Sequence, residues 1–130
     1  MHIQTMKSRQ SMVRHAQSQA ADFSSWVKSD RQWQEKMMKD GWYPDQRNLL
    51  RLLARSIRDA SPEEFIIEIG HAWYPLHLDR LADDCHETVP YFQSLLRRVA
   101  RKRAFLATRY NPFDKCIRVH VLIDWTKLPR

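Results

Sequence analysis

The sequence predicts a mainly α-helical chain closed by a C-terminal β-hairpin, and three observations predict it. Bulky apolar side chains recur at helical spacing over much of residues 23–103. Residues 117–123 instead alternate, with Ile117, Val119, Val121 and Ile123 on one side and Arg118, His120 and Leu122 on the other, which is the period of a strand. Only two glycines occur in 130 residues, Gly41 and Gly70, too few for a fold of many tight turns with positive φ.

Taken in order, residues 1–20 are rich in Gln and Ser with basic Lys7, Arg9, Arg14 and His15. They predict a flexible basic arm, or a weakly amphipathic helix, ahead of a single domain over residues 21–130. Phe23, Trp26, Val27, Trp33, Met37 and Met38 recur roughly at helical spacing. Gly41 fits a helix stop, and Trp42-Tyr43-Pro44 an extended turn. Residues 45–60 read as a clear amphipathic helix, with Leu49, Leu50, Leu52, Leu53 and Ile57 on one face and Arg47, Arg51, Arg55 and Arg58 on the other. Ser61-Pro62-Glu63-Glu64 has the form of a capping box with proline in the first turn. It predicts a helix carrying Phe65, Ile66 and Ile69 to about Gly70, with a short strand as the rival over residues 65–69.

Residues 76–85 then read as a short helix with Leu78, Leu81, Ala82 and Cys85 inward. A break follows at His86-Glu87-Thr88, with Thr88 or Val89 near the cap of the next helix. That helix, residues 90–103, buries Phe92, Leu95, Leu96 and Val99, the i, i+3, i+4, i+7 set. Strands over 105–110 and 117–124 are joined by Asn111-Pro112-Phe113-Asp114-Lys115, whose Asn and Pro suit a turn.

Charge is unevenly divided. Residues 1–40 hold seven Lys/Arg against four Asp/Glu, residues 41–86 five against eight, and residues 87–130 ten against three. The last segment therefore carries +7, as large as the net charge of the chain. A localised positive field attracts a polyanion. Two widely separated glycines cannot write a phosphate loop or a dinucleotide fingerprint, so no cofactor is expected. No apolar run is long enough for a membrane span, and the N-terminus lacks the pattern of a signal peptide. Two cysteines, Cys85 and Cys116, make no disulfide framework, and a reduced, cytoplasmic protein is expected.

Helix, turn, helix and hairpin in that order describe a device for presenting one helix to a DNA major groove about 12 Å wide. Leu81, Ala82 and Cys85 have the spacing to meet Phe92 and Leu95, with Ala82 small where the helices approach. Opposite that stripe lie Pro90, Ser94, Arg97, Arg98 and Arg101, flanked by Tyr91 and Gln93. Arg can pair with guanine and Gln with adenine, while Ser, Tyr and Thr88 can reach phosphates or bases. Lys102, Arg103, Arg109, Lys115 and Arg118 are the expected cationic rim.

Residues 76–124, with Leu-Asp-Arg-Leu-Ala-Asp-Asp, a turn, a helix ending Arg-Lys-Arg-Ala-Phe-Leu and a hairpin, resemble the winged-helix domain of MarR-like bacterial regulators. The loop Arg109 to Lys115 is similar to the wing of those proteins, where a basic residue, a proline and an Asp-basic pair are common. The sequence departs from the pattern at His86, where many such turns have glycine, at Glu87, where an apolar residue is usual, and at Cys116, where the family often has arginine. No counterpart of the C-terminal dimer helix is seen before Arg130. The resemblance implies a winged helix-turn-helix with additional N-terminal helices, not a full MarR regulator.

Other chemistries weigh less. Cys116 and His120 would stand about 13 Å apart along a strand, too far for one tetrahedral zinc with Cys85-His86. His71, His77, Asp79, Asp83 and Asp84 supply no nucleophile with an oriented base, so no enzyme is expected. The aromatic cluster of Trp26, Trp33, Trp42, Tyr43, Trp73 and Tyr74 is expected to complete the core, with a homodimer surface as its sharper reading. The expectation is a double-stranded DNA reader that regulates transcription, replication or plasmid or phage maintenance, without a membrane partner. The alternatives are a protein-interaction module, as inhibitor or adaptor, on the same scaffold, and RNA binding.

Overall fold

A computed structural model describes residues 2–28, 30–68, 70–102 and 104–128. Ile69 and Arg103 lie outside the described residues, as do the side chains of residues 2–7, Lys7 among them, and of Trp125. The chain runs α1 (His2–Trp26), α2 (Arg31–Lys39), α3 (Pro44–Asp59), β1 (Ile66–Glu68), β2 (His71–His77), α4 (Leu78–Cys85), α5 (Val89–Arg101), β3 (Leu106–Tyr110) and β4 (Arg118–Ile123). Single 3-10 turns stand at Pro62–Glu64, Pro112–Asp114 and Trp125–Lys127. The protein is thus mainly helical, with a four-stranded antiparallel sheet ordered β1-β2-β4-β3.

Of the two readings of residues 1–20, the helix is the one seen, since α1 runs through residue 20 to Trp26. Ala16, Ala20 and Phe23 recur on one helical face and are buried. The small alanines let β2 come close enough for the Tyr74 hydroxyl to donate to the Ala16 carbonyl at 2.6 Å. The helix expected across residues 23–38 is two helices. α1 stops at Trp26, and Asp30 restarts the chain by accepting the Trp33 N–H at 2.8 Å, the usual work of an aspartate N-cap. α2 ends before Gly41, whose φ of +85° is the left-handed stop expected there. α3 buries Leu49, Leu50, Leu52, Leu53 and Ile57 as predicted.

The helix expected after Ser61 does not form, and the strand reading prevails. One 3-10 turn at Pro62–Glu64 leads straight into β1, where Ile66 faces Trp73 across the pair. Ser61 Oγ bonds Glu63 Oε2 at 3.1 Å instead of capping a helix, and β-branched Ile66 and Ile67 favour extended backbone. β2 was not anticipated, and it takes Leu76 from the expected start of α4. Its Pro75 is tolerated because β1 pairs only as far as Trp73. Beyond that point β2 is an edge on the β1 side, where a missing N–H breaks no ladder bond.

Tyr74, Leu76, Leu106, Val119, Val121 and Ile123 form the buried face of the sheet. α3 and α5 lie against this sheet, and α4 packs on α5 and β4. Phe92, Leu95, Leu96 and Val99 of α5 are all buried, joining Leu78, Leu81 and Ala82 of α4 in one core. Full burial of each Leu, Val or Phe among them stabilises the fold by about 1.5–3 kcal/mol. The core therefore holds α5 by its apolar stripe and turns the opposite stripe outward.

Candidate nucleic-acid interface

The turn between α4 and α5 sets the angle at which α5 is presented. His86 holds left-handed backbone at φ 55°, the position where glycine is usual. The turn is closed by Glu87 N–H donating to the Ala82 carbonyl at 2.9 Å, with a weaker bond from His86 N–H to Asp83 at 3.3 Å. Thr88 starts α5, its Oγ1 accepting the Tyr91 N–H at 3.2 Å. Thr88 is accordingly a cap.

Ser94, Arg97, Arg98 and Arg101 lie on the outer face of α5 and are exposed. Among the described residues, Ser94, Arg97 and Arg101 make no side-chain hydrogen bond or ion pair. Arg98 stands at the edge of this face and pairs with Asp45 of α3 at 3.3 Å. Both partners are partly solvated, so the pair contributes well under about 1 kcal/mol and yields readily to a phosphate.

The flanking candidates are committed to the protein. Gln93 Nε2 donates to the Cys116 carbonyl at 3.2 Å, tying α5 to the base of the hairpin loop. Tyr91 is half-buried, edge-on to Phe92 at 5.2 Å. Lys102 Nζ donates to the Gly41 carbonyl and stands 5.2 Å over the Trp42 ring and 5.8 Å over the Tyr43 ring. Gln93 and Lys102 thus brace α5 at two points, from the hairpin and from the turn before α3.

The β3–β4 hairpin divides its cations. Arg109 pairs with Glu68 at 2.7 Å and lies 4.4 Å over the Trp73 ring. In register it faces His120, which alternates with buried Val119 and Val121, so Arg109 projects from the sheet face away from the helices. The structure therefore does not bring Arg109 to the outer face of α5. Arg118 pairs with Asp114 at 3.5 Å. Lys115 is exposed, with φ 58°, and has no ion-pair partner among the described residues.

Sequence reasoning passed over Phe113, in the 3-10 turn at the hairpin tip and 97% exposed. The available signal was an apolar ring between Pro112 and Asp114, where a turn ordinarily carries polar residues.

Perturbed acids lie elsewhere. A hydrogen bond from His77 at 2.8 Å holds the Glu64 carboxyl below its ordinary range, and one from Thr126 does the same for Asp124. Among the described residues no group of three or more His, Cys, Asp or Glu is placed to hold a metal ion, and no helix is long and apolar enough to cross a membrane. Cys85 and Cys116 are free thiols. Comparison with family models, with curated proteins and with solved structures finds no match for this chain.

Proposed function

We propose that this protein binds double-stranded DNA as a winged helix-turn-helix, with α5 entering the major groove and the β3–β4 hairpin lying along the backbone. The observation that carries the reading is the outer face of α5. Among the described residues, Ser94, Arg97 and Arg101 are exposed there without a side-chain partner, while Gln93 and Lys102 hold the helix from its sides. A helix braced at both flanks keeps its reading face in one orientation, which lowers the ordering that binding must impose. Arginines in that setting suit guanine O6 and N7 or phosphate oxygens, and Lys115 adds a cation on the hairpin. The role is that of a small regulator of transcription or of replication or plasmid or phage maintenance, with no catalytic residue assigned.

The test is selection from a random duplex pool at two salt concentrations, alongside Arg97→Ala/Arg101→Ala. A recovered motif is expected, with binding weakened by salt and, in the double variant, either a relaxed motif where the arginines read guanine or a log–log salt slope reduced by about one for each that held a phosphate. Two half-sites one helical turn apart, about 34–36 Å, would report a dimer. No retention of duplex even at low salt would sink the reading. Preference for RNA hairpins, or stoichiometric capture of a protein with indifference to DNA, would replace it with an RNA-binding or adaptor role.

A further inference from the structure

The hairpin tip holds its most hydrophobic residue in water. Phe113 is 97% exposed, against 67% for Tyr43 and 60% for Met38, the other large hydrophobic side chains that stand out from the surface among the described residues. Tyr43 has the Lys102 ammonium against its ring, and Met38 is a flexible thioether on α2. Among the described residues Phe113 has no aromatic or cationic partner, and a phenyl group so exposed adds no packing to the fold.

The loop nevertheless fixes where that ring stands. Asn111 Oδ1 accepts the Phe113 N–H at 3.0 Å. Asn111 N–H donates to the Arg118 carbonyl at 3.2 Å, and the Asn111 carbonyl accepts from Cys116 at 2.9 Å. Lys115 N–H reaches back to the Pro112 carbonyl at 3.3 Å, and Ile117 N–H to Asp114 at 3.2 Å. Lys115 and Cys116 both hold left-handed backbone, at φ 58° and 62°, which non-glycine residues adopt only where surrounding bonds demand it. The loop is therefore built to hold its shape. Its base is joined to α5 through Gln93 and the Cys116 carbonyl, and Phe113 follows within about 11 Å of chain.

We infer that Phe113 is an apolar wedge that enters the minor groove beside the α5 site and inserts between two base pairs of duplex DNA. This rests on the duplex-DNA reading above. A ring held in place beside a cation suits that task, because Lys115 can hold the adjoining phosphate while the ring replaces a lost base–base stack. The unstacked step kinks, which brings more of the duplex against the basic C-terminal third. Aromatic insertion tolerates sequence, since every base has a π-face, but it favours pyrimidine–purine steps that unstack easily. A membrane role is disfavoured by the isolation of the ring. Its loop neighbours Asp114 and Lys115 are charged, and Pro112 is a small apolar side chain, leaving little apolar surface at the tip to enter a bilayer.

The experiment uses mixed-sequence duplexes in which 2-aminopurine replaces adenine at successive positions, so that unstacking at one step raises fluorescence. Wild type is expected to raise it at a single step flanking the α5 site. Phe113→Ala should lose that rise and bind about tenfold more weakly, with an unchanged melting temperature because the ring buries nothing. Phe113→Trp should keep both. If Phe113→Ala binds and brightens the duplex as wild type does, or loses affinity while wild type never brightens it, insertion is overturned and the DNA reading stands. If wild type ignores every duplex while Arg97→Ala/Arg101→Ala changes nothing, the DNA reading falls and the wedge with it. Phe113-dependent retention on phosphatidylserine vesicles in that case would reassign the ring to a membrane.

Discussion

His86, Lys115 and Cys116 all hold left-handed backbone without being glycine, and all three shape the surface around α5. For an L-residue that conformation costs roughly 1–2 kcal/mol. At His86 the cost is offset by the bonds that close the α4–α5 turn, while the exposed imidazole contributes no packing. His86→Gly should therefore raise the free energy of unfolding by about 0.5–1 kcal/mol, the relief of strain being partly cancelled by the greater freedom of glycine in the unfolded chain. Urea titration would measure it, and a loss of stability would show that the His86 side chain makes a favourable contact. The same scale explains why single residues here have divided duties. Gln93 looks like a base reader on a helical wheel, yet its amide is committed to the Cys116 carbonyl.

Among the elements, β2 and α1 depend on one another through Tyr74. Its hydroxyl bonds the Ala16 carbonyl, its ring meets Phe65 edge-on at 5.2 Å, and burial pushes its pKa up to about 12 from an ordinary value near 10. A folded pKa raised in this way contributes stability that is fully present below pH 10 and lost as pH rises toward 12, because the unfolded chain releases its proton first. Tyr74→Phe should cost about 1 kcal/mol at neutral pH for the lost bond. It should also decline less steeply than wild type between pH 10 and 12 in urea midpoints taken across that range. Parallel decline in the two proteins would mean that Tyr74 does not carry the alkaline sensitivity. Glu64 acts in the opposite direction. Its lowered pKa, caused first by the His77 hydrogen bond, contributes stability that is fully present above the ordinary carboxylate range and is lost as pH falls through its folded value.

At the scale of the molecule, one contiguous core runs from Ala16 of α1 through α3, α5 and the sheet to Leu128. A chain of this size with a shared core should unfold in one step. Tryptophan fluorescence, reporting Trp26, Trp33, Trp42 and Trp73 among others, should therefore melt together with far-ultraviolet circular dichroism. Leu96→Ala, opening a cavity at a fully buried site, should lower stability by about 2–5 kcal/mol and shift both signals equally. An earlier fluorescence transition would show α1 and α2 to be a separately folding layer.

Periodicity alone located α3, α4, α5 and the final hairpin, because a long amphipathic repeat reports which stripe meets the core whatever it meets there. For the same reason the outward placement of Ser94, Arg97 and Arg101 follows from Phe92, Leu95, Leu96 and Val99. The break at Asp30 lay hidden, since bulky residues continue on both sides of it. The strand over residues 66–68 is too short to display a period, and a local capping pattern at Ser61 competed with it. Only the assembled tertiary structure decides which cations remain uncommitted. Arg98 meets Asp45, Lys102 meets the Gly41 carbonyl and Arg109 meets Glu68, partners more than 40 positions away in the chain. Such pairs depend on which elements come to face each other, and local spacing carries no record of that.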